Sequence, residues 1–363
     1  MVPATVAELT PEWLTGALCA DVPGAEVTSF DLGGGSDGTA SRRAITVAYN
    51  EAGQAAGLPT ALYSKMTPTL LNRLLVGVTG AAGMEALFYG RIRPHLDIGA
   101  PAGYHGAWDP RTCRSFVLTE DITATRGAVF GDATTIHVDR AGAESMVREL
   151  ARYHGGLWED PRLDHEWTDL VDTHTWQRTF NTRTRFDSGA MLGFRIAPDE
   201  IPRALHDRKA EVRKAFDRSL AINARGPKTL VHHDVHPGNW FRLPDGSLNL
   251  YDWQGIAKGN WAIDFSYAIT AALEPEDRRA WEHDLLEQYL QLLGDAGGKP
   301  PSFEDAWLAY RQQTLHGLIL WLYTVLVGRV QEIQSDAHVR ILIRRTAQAV
   351  VDLETLDALD GAG

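Results

Sequence analysis

The segment from Leu230 to Gly255 limits the possible folds of this chain more than any other. It reads L-V-H-H-D-V-H-P-G-N-W-F-R-L-P-D-G-S-L-N-L-Y-D-W-Q-G, and its P-D-G tripeptide is a turn signal between two β-rich runs. We therefore predict a β-hairpin, with Asn239 entering its first strand and Asp252 leaving its second. Antiparallel pairing would bring these two residues together at the open end, within the roughly 5 Å that separates cross-strand neighbours.

The oxygen-bearing side chains of this segment predict a magnesium site that serves phosphoryl transfer. Magnesium takes one or two protein oxygens together with phosphate oxygens and water, so Asn239 and Asp252 would be sufficient. Asp234 lies five residues before Asn239. In a D-x-x-x-x-N loop of this kind the aspartate accepts or orients the proton of the attacking hydroxyl. His232 and His236 are predicted to brace the loop.

The histidine-rich loop has two alternative interpretations. H-H-D-V-H could form a transition-metal cluster on His232, His233 and His236, although it lacks the helical histidine pair with glutamate of a zincin and has no cysteine beside it. It could also be a purely structural loop. Both alternatives explain less than phosphoryl transfer, because further residues upstream occur in the order that a nucleotide-binding enzyme requires.

A glycine-rich segment lies upstream between two predicted strands. The run G-G-G-S-D-G after Leu32 matches G-x-G-x-x-G, and residues 26–32 and 41–49 on either side are rich in β-formers. A dinucleotide-binding fingerprint needs a helix after the glycines, whereas a strand follows here, as in kinases. A simple hairpin turn is the alternative. The candidates for phosphate contact through backbone N–H groups are Gly35, Ser36 and Gly38.

A lysine and a glutamate follow in the order expected of a nucleotide-binding lobe. Residues 59–66 predict a third strand with Lys65 near its end, where the ammonium would contact ATP phosphates as a point charge. Glu85 lies in a helical pattern that Pro94 ends, and we predict that it pairs with Lys65. Each residue alone would be an ordinary surface group, so the prediction depends on their order.

Residues 114–123 predict a further strand that runs into a connector, and Arg126-Gly127 predict a loop after it. We place the domain boundary at Ile122, with an N-terminal nucleotide-binding lobe over residues 1–122. Residues 123–363 would form a C-terminal helical lobe with the catalytic loop and the acceptor site. Main-chain groups of Glu120 and Ile122 are the candidates for contact with adenine, and an edge strand with a turn is the alternative.

The C-terminal part of the chain predicts mainly helices. His154 falls on the apolar face of one of them and is expected to be a hydrogen-bonded core histidine rather than a ligand. Ser302 is a predicted N-cap of one long helix that includes the apolar run 317–327, and residues 337–359 predict a single last helix.

Composition narrows the class of protein and its partners. A chain of 363 residues exceeds the size of one ordinary core, so two lobes are expected. A formal net charge of −12 disfavours nucleic acid and anionic membranes as partners. The apolar run is too short for a membrane span, and the N-terminus lacks a signal-peptide pattern. Two distant cysteines, Cys19 and Cys113, predict no disulfide framework, so a cytoplasmic setting is the simplest expectation.

The sequences V-H-H-D-V-H-P-G-N-W and Y-D-W-Q resemble the catalytic and metal motifs of the aminoglycoside phosphotransferase and choline kinase superfamily, and look closest to its ecdysteroid-kinase-like branch. The resemblance implies an α+β, bilobal protein-kinase-like fold, with an N-terminal antiparallel sheet lobe that carries a helix and a mostly helical C-terminal lobe. It also implies the following roles: Asp234 as the catalytic aspartate, Asn239 and Asp252 as magnesium ligands, Lys65 as a phosphate contact, Glu85 as its partner, and Asp264 as support for the catalytic loop.

Two departures from the family pattern are visible. His233 stands where the family usually has glycine, which we expect to alter the packing of the loop rather than its chemistry. Trp253-Gln254 follows Asp252 where protein kinases have Phe-Gly, and the sequence contains no activation segment of the A-P-E type. A protein substrate is therefore not expected.

These observations predict an ATP- and magnesium-dependent phosphotransferase that moves the γ-phosphoryl group to a hydroxyl of a small molecule. A hydroxylated natural product, an antibiotic or a metabolite would fit, and an antibiotic acceptor would make the protein a resistance enzyme. The alternative is a nucleotide-binding pseudokinase or regulatory module. The acidic chain is compatible with a cationic aminoglycoside, whereas the aromatic residues between Trp167 and Phe186 suit an apolar acceptor at least as well.

Overall fold

The computed structural model describes residues 2–3, 5–37, 40–67, 69, 73, 80–329 and 334–360. Contacts divide the chain into two compact units. The sheet unit comprises Met1–Leu96, Ala100–Ala128 and Asp252–Gly255. The helical unit comprises Asp97–Gly99, Val129–Tyr251 and Ile256–Gly363. The predicted assignment of residues 1–122 and 123–363 to a nucleotide lobe and an acceptor lobe stays a prediction.

The sheet unit is built on one five-stranded sheet with the order β1-β2-β3-β5-β4, in which every neighbouring pair is antiparallel. Alternate residues of β3 are buried, as expected of a strand with one face on a core. The strands are β1 (Val27–Asp37), β2 (Ser41–Tyr49), β3 (Ala61–Met66), β4 (Gly103–Asp109) and β5 (Arg114–Glu120).

The glycine-rich segment corrects one expectation. We predicted a loop there, but β1 continues through the glycines as far as Asp37 and pairs with β2, with an irregularity between Leu32 and Gly35. Glycine permits this close pairing, because a Cβ on Gly35 would lie 1.9 Å from the carbonyl oxygen of Arg42. Gly38, the last of the predicted phosphate contacts, lies outside the described residues.

Short helices cover and connect the sheet. Thr10 accepts a hydrogen bond from the Trp13 N–H and caps the first helix. A second correction concerns the connector, where the predicted loop begins with a short helix that Asp121 caps and Gly127 ends. These helices are α1 (Pro11–Leu18), α2 (Glu51–Ala55), α3 (Ala81–Leu87), which continues as a π-helical turn (Phe88–Ile92) and a 3-10 turn (Arg93–His95), and α4 (Ile122–Arg126).

The helical unit contains most of the helices in the described part of the chain, as predicted. Its core includes the fully buried rings of Trp167, Trp240 and Trp261. The helices are α5 (Arg140–Gly156), α6 (Arg162–His165), α7 (Thr173–Thr184), α8 (Phe186–Ile196), α9 (Arg203–Asp207), α10 (Lys209–Asn223), α11 (Ala262–Ala272), α12 (Pro275–Asp295), α13 (Phe303–Gln313), α14 (Leu315–Val327), α15 (Asp336–Asp352) and α16 (Thr355–Asp360).

Two predicted long helices are each divided into two. The first breaks between α13 and α14 at Thr314, whose hydroxyl donates to the carbonyl of Tyr310 one turn earlier, a bond that bends helices. The second breaks between α15 and α16, where Glu354 has a φ of 47° and the Leu353 carbonyl accepts a bond from Arg311. The left-handed backbone at Glu354 explains the second break.

Two small sheets carry the segment that the sequence singled out. Strands β6 (Val129–Phe130), β8 (Trp240–Arg242) and β9 (Leu248–Leu250) form one sheet, and β7 (Thr229–Val231) pairs with β10 (Ala257–Gly259) in the other. Strands β8 and β9 are antiparallel neighbours, so the predicted hairpin is confirmed. No helix in the described ranges is both long and apolar enough to cross a membrane.

Candidate active site

The loop between β7 and β8 is anchored from within and presents one carboxylate. Val235 is fully buried, and its carbonyl accepts a 2.9 Å hydrogen bond from the indole of Trp240. Its neighbour Asp234 keeps 33% of its side chain exposed. The loop thus has a fixed apolar anchor next to an accessible carboxylate, which is the arrangement that a positioned acid–base group needs.

Asn239 is oriented by Asp234. Its side-chain nitrogen donates to the carbonyl oxygen of Asp234 at 2.8 Å and to the carboxylate of the same residue at 3.1 Å. Both partners are acceptors, so the amide nitrogen must face them. The Oδ1 atom of Asn239 is therefore the end that can coordinate a cation.

The hairpin places the residue before Asp252 next to Asn239. The backbone N–H of Tyr251 donates to the Asn239 carbonyl at 3.0 Å, beyond the last strand pair of Trp240 and Leu250. Asn239 and Tyr251 consequently lie at the same, open end of the hairpin. The assignment of Asn239 and Asp252 as magnesium ligands stays a prediction.

The buried carboxylate of Asp264 holds the start of the loop. It accepts the backbone N–H groups of His232 at 2.6 Å and His233 at 2.9 Å, and the hydroxyl of Tyr153 at 2.7 Å. Burial alone would raise the pKa of Asp264, but the hydrogen bond from His154 and the positive potential of nearby histidines hold it well below its ordinary value. The carboxylate thus stays ionised where backbone donors need it.

His154 is the core histidine that the sequence predicted. It is fully buried, with Nδ1 2.9 Å from the Tyr289 hydroxyl and Nε2 3.4 Å from Asp264. Burial lowers its pKa, against the opposing effect of Asp264.

The tautomers of His232 and His236 follow from their backbone partners. Nδ1 of His232 accepts the Asp234 N–H at 3.2 Å, so the proton is on Nε2, which donates to the Tyr251 carbonyl at 3.1 Å. Nδ1 of His236 accepts the Gly238 N–H at 3.0 Å, so its Nε2–H faces the Asp234 carboxylate, 3.7 Å away. Both histidines therefore support the loop geometrically.

The third histidine of the loop has an unusual backbone. His233 has a φ of 67°, the left-handed region that favours glycine, which explains why a glycine is usual at this position. Its ring bonds the Thr173 hydroxyl at 3.1 Å, and its carbonyl accepts a 2.9 Å bond from Nε2 of His316. The three rings of H-H-D-V-H thus have separate partners, and no group of three or more metal-binding side chains occurs among residues 2–360 as far as they are described.

Tyr267 is a further residue beside Asp234 that we did not predict. Its hydroxyl lies 3.5 Å from Oδ1 of Asp234. Burial, and then the negative charge of Asp234, raise the pKa of Tyr267 well above its ordinary value, so it remains a proton donor. Tyr267 follows Asp264 by three residues on α11, and this helical spacing was the available signal.

Within the sheet unit, Lys65 joins two carboxylates. Its ammonium lies 2.6 Å from Asp252 and 2.9 Å from Glu85, which confirms the predicted pairing with Glu85. Burial would lower the pKa of Lys65, but Asp252 and Glu85 outweigh it and the pKa is raised. Burial, together with the negative charge of Asp252, raises the pKa of Glu85, although Lys65 opposes this. The ring of Trp253 stacks on Phe88 at 4.0 Å, next to this ion-paired group.

The remaining predicted site residues are the candidates for contact with a nucleotide. Ser36 is exposed, and its carbonyl accepts a 3.3 Å bond from the Arg43 side chain. The carboxylate of Glu120 is bound by Arg126 and by the Thr125 hydroxyl, while the Ile122 carbonyl accepts the Ala128 N–H. The contacts predicted from these residues, and from Gly35, to a nucleotide stay predictions.

A five-stranded antiparallel sheet, a mostly helical second unit and the loop H-x-D-x-x-x-x-N with a following aspartate are the features of a kinase-like phosphotransferase. A family model described as "Phosphotransferase enzyme family" (APH) matches residues 88–311. The chain belongs to this family, and the predicted superfamily and kinase-like fold are confirmed. It is a small-molecule phosphotransferase.

The chain is similar to several solved structures. A candidate aminoglycoside phosphotransferase from Ralstonia eutropha JMP134 is 13% identical with a TM-score of 0.55, over 96% of this chain and 97% of that one. Choline kinase LicA from Streptococcus pneumoniae is 17% identical with a TM-score of 0.46, over 90% and 94%. The first similarity shows the fold. A search of curated proteins found no significant match, and the ecdysteroid-kinase-like branch stays a prediction.

Proposed function

We propose that the protein transfers the γ-phosphoryl group of ATP to a hydroxyl of a small molecule, with magnesium. The observation that carries the proposal is the arrangement around Asp234. Its accessible carboxylate is held by Asn239 and faced by the Nε2–H of His236, on a loop that Asp264 fixes. Three groups thus position one carboxylate, which is what a proton acceptor for an attacking hydroxyl requires.

In this reaction the acceptor oxygen forms a bond to the γ-phosphorus while the bond from that phosphorus to the β,γ-bridging oxygen breaks, leaving ADP. The proton of the hydroxyl passes to the carboxylate of Asp234. The side chains of Tyr267 and His236 would keep that carboxylate oriented towards the acceptor. Lys65 would contact phosphate oxygens, and Glu85 would hold its ammonium in place.

The side chains present suit magnesium. Oδ1 of Asn239 and the carboxylate of Asp252 are hard oxygen donors, and magnesium needs only one or two of these from the protein. Bound magnesium would neutralise charge on the phosphate oxygens. Main-chain groups of Glu120 and Ile122 are the proposed adenine contacts, and those of Gly35, Ser36 and Gly38 the proposed phosphate contacts.

The test is phosphotransfer from ATP to a panel of hydroxylated metabolites and antibiotics, with products identified by mass. Asp234→Asn should reduce turnover by about a thousandfold, the scale of a lost acid–base group. Asp245→Asn, in the exposed hairpin turn, is the matched control and should leave turnover unchanged. A chelator should abolish transfer, and added magnesium should restore it.

Two outcomes would contradict the proposal. Equal turnover by wild type and Asp234→Asn would remove Asp234 from the chemistry. Calorimetry that shows ATP binding without transfer to any acceptor would favour the alternative of a nucleotide-binding module.

A further inference from the structure

A row of aromatic rings begins at the catalytic loop. We define the aromatic strip as His233, Trp176, Phe180, Phe186 and Tyr323. The Trp176 ring lies 5.1 Å from that of His233 and stacks on Phe180 at 5.3 Å. Phe180 lies 5.1 Å from Phe186 and 6.2 Å from Tyr323, and the last two rings are 4.8 Å apart. The inner end of the strip is one peptide bond from Asp234.

The strip is only partly used for packing. Trp176 packs against the buried side chains of Val231, Ala257 and Ile263, and Phe186 is fully buried. Trp176, Phe180 and Tyr323 are nevertheless half-buried and so retain accessible surface. Partly accessible aromatic rings in a row that begins at the residue before Asp234 offer a surface on which a ligand ring stacks favourably.

The charge of the helices that carry the strip argues against a polycationic ligand. Helix α7 contains Arg178 and Arg183 and no acidic residue, and α14 contains no Asp, Glu, Lys or Arg. The nearby carboxylate of Asp187 is buried and is bound by Asn181. Asp172, the N-cap of α7, accepts bonds from Thr175. Helices α7 and α14 themselves therefore offer no carboxylate to a polycation.

We propose that the aromatic strip is the acceptor subsite and that it takes an uncharged alcohol with at least two fused rings, rather than a polyamine sugar. The class follows from two properties: consecutive rings whose centroids lie 4.8–5.3 Å apart, and the absence of acidic side chains from α7 and α14. This inference depends on the proposed function, because Asp234 defines the reacting end of the subsite.

Equilibrium dialysis with naphthylethanol and kanamycin A tests the assignment. The Asp234→Asn variant should bind naphthylethanol more tightly than kanamycin A. Adding Trp176→Ala to this variant should lower its affinity for naphthylethanol by at least about tenfold, as expected for a lost stacking partner. Kanamycin A binding should not respond. The matched control is Trp307→Ala in the same background, because Trp307 is also half-buried and stacked, on His283 at 4.0 Å, but lies outside the strip.

A second variant guards against a folding defect. Phe180→Leu keeps most of the side-chain volume but removes the ring, and thermal unfolding would verify that each variant is folded. Naphthylethanol binding that is no tighter than that of kanamycin A, or that is unaffected by Phe180→Leu in a folded protein, would overturn the assignment.

The failure of this inference can be separated from failure of the proposed function. Ring-dependent binding without phosphotransfer to any acceptor would leave the strip assigned and contradict the function. Phosphotransfer whose KM for ring-bearing acceptors is unchanged by Trp176→Ala and Phe180→Leu would retain the function and remove the strip.

Discussion

The ammonium of Lys65 donates a 2.6 Å hydrogen bond to Asp252, a residue 187 positions away in the chain. Glu85 accepts a second bond from the same ammonium at 2.9 Å. The three side chains are largely buried, with 16% of Lys65, 17% of Asp252 and 8% of Glu85 exposed. The one positive charge of Lys65 thus offsets the negative charges of two carboxylates. Removing it would leave both of these charges without that ion pair.

Lys65→Met should therefore lower both stability and activity. Removing one member of a buried ion-paired group costs about 3 kcal/mol of unfolding free energy, because the remaining charges are desolvated. Phosphotransfer should fall at least about a hundredfold if Lys65 contacts phosphates. Urea unfolding and steady-state kinetics measure the two effects. Lys299→Met, on the exposed surface, should change neither, and equal stability of the two variants would contradict the prediction.

Glycine and alanine at position 233 should separate backbone strain from side-chain contacts. Both variants lose the bond to Thr173 and the ring contacts with Trp176 and His316. Only glycine relieves the φ of 67°, so His233→Gly should be more stable than His233→Ala by about 1 kcal/mol. Urea unfolding of the two proteins checks this difference. Equal free energies of unfolding for His233→Ala and His233→Gly would show that the loop relaxes to another backbone conformation.

Asp264→Asn should loosen the catalytic loop. An amide cannot accept bonds at both of its ends, so one donor among His232 N–H, His233 N–H and Tyr153 would lose its partner, at a cost of about 3 kcal/mol. Turnover should fall more than ATP binding, because the loop carries Asp234. Calorimetry and kinetics together test this, with the exposed Asp295→Asn as control. Unchanged stability of Asp264→Asn would contradict the role of Asp264.

Protonation of His338 should make stability depend on pH. Burial, and then the neighbouring His236, lower the pKa of His338 to about 4, although Asp132 opposes this. The unfolded chain would take up the proton first as the pH falls below about 6.5, so the free energy of unfolding should decline between about pH 6.5 and about pH 4.

The His338→Asn variant isolates this contribution. Nδ1 of His338 accepts the Ala133 N–H at 3.0 Å, a bond that an asparagine oxygen can replace without titrating. Urea unfolding at several pH values should give a shallower decline for His338→Asn than for wild type. Parallel curves for the two proteins would show that His338 does not titrate differently on folding.

Local signals explain what could be predicted from the sequence. The hairpin follows from the turn at Pro244–Gly246, whereas the pairing of Lys65 with Glu85 was predicted from the order in which these residues follow the glycine-rich segment. The bond from Tyr153 to Asp264 joins residues 111 positions apart, and no local pattern encodes it. The positive φ of His233 had its signal only in the glycine that is usual at this position, because histidine has no preference for that region comparable to that of glycine.

The breaks at Thr314 and Glu354 show a second limit. Periodicity predicts a helix, but it does not show that Glu354 adopts a left-handed backbone or that Arg311 binds the Leu353 carbonyl. A long-range contact of this kind forms only with the tertiary structure.

The pairing of β1 with β2 means that the glycines between Leu32 and Asp37 would respond unequally in a saturation mutagenesis experiment. Any side chain at Gly35 would collide with the Arg42 carbonyl. A loss of activity on substitution of Gly35 would therefore report disruption of the sheet, whether or not phosphate binds nearby. A Cβ at Gly34 would meet nothing within 4 Å. Gly34 is therefore the position at which loss of activity on substitution by alanine would indicate contact with a ligand rather than disruption of the sheet.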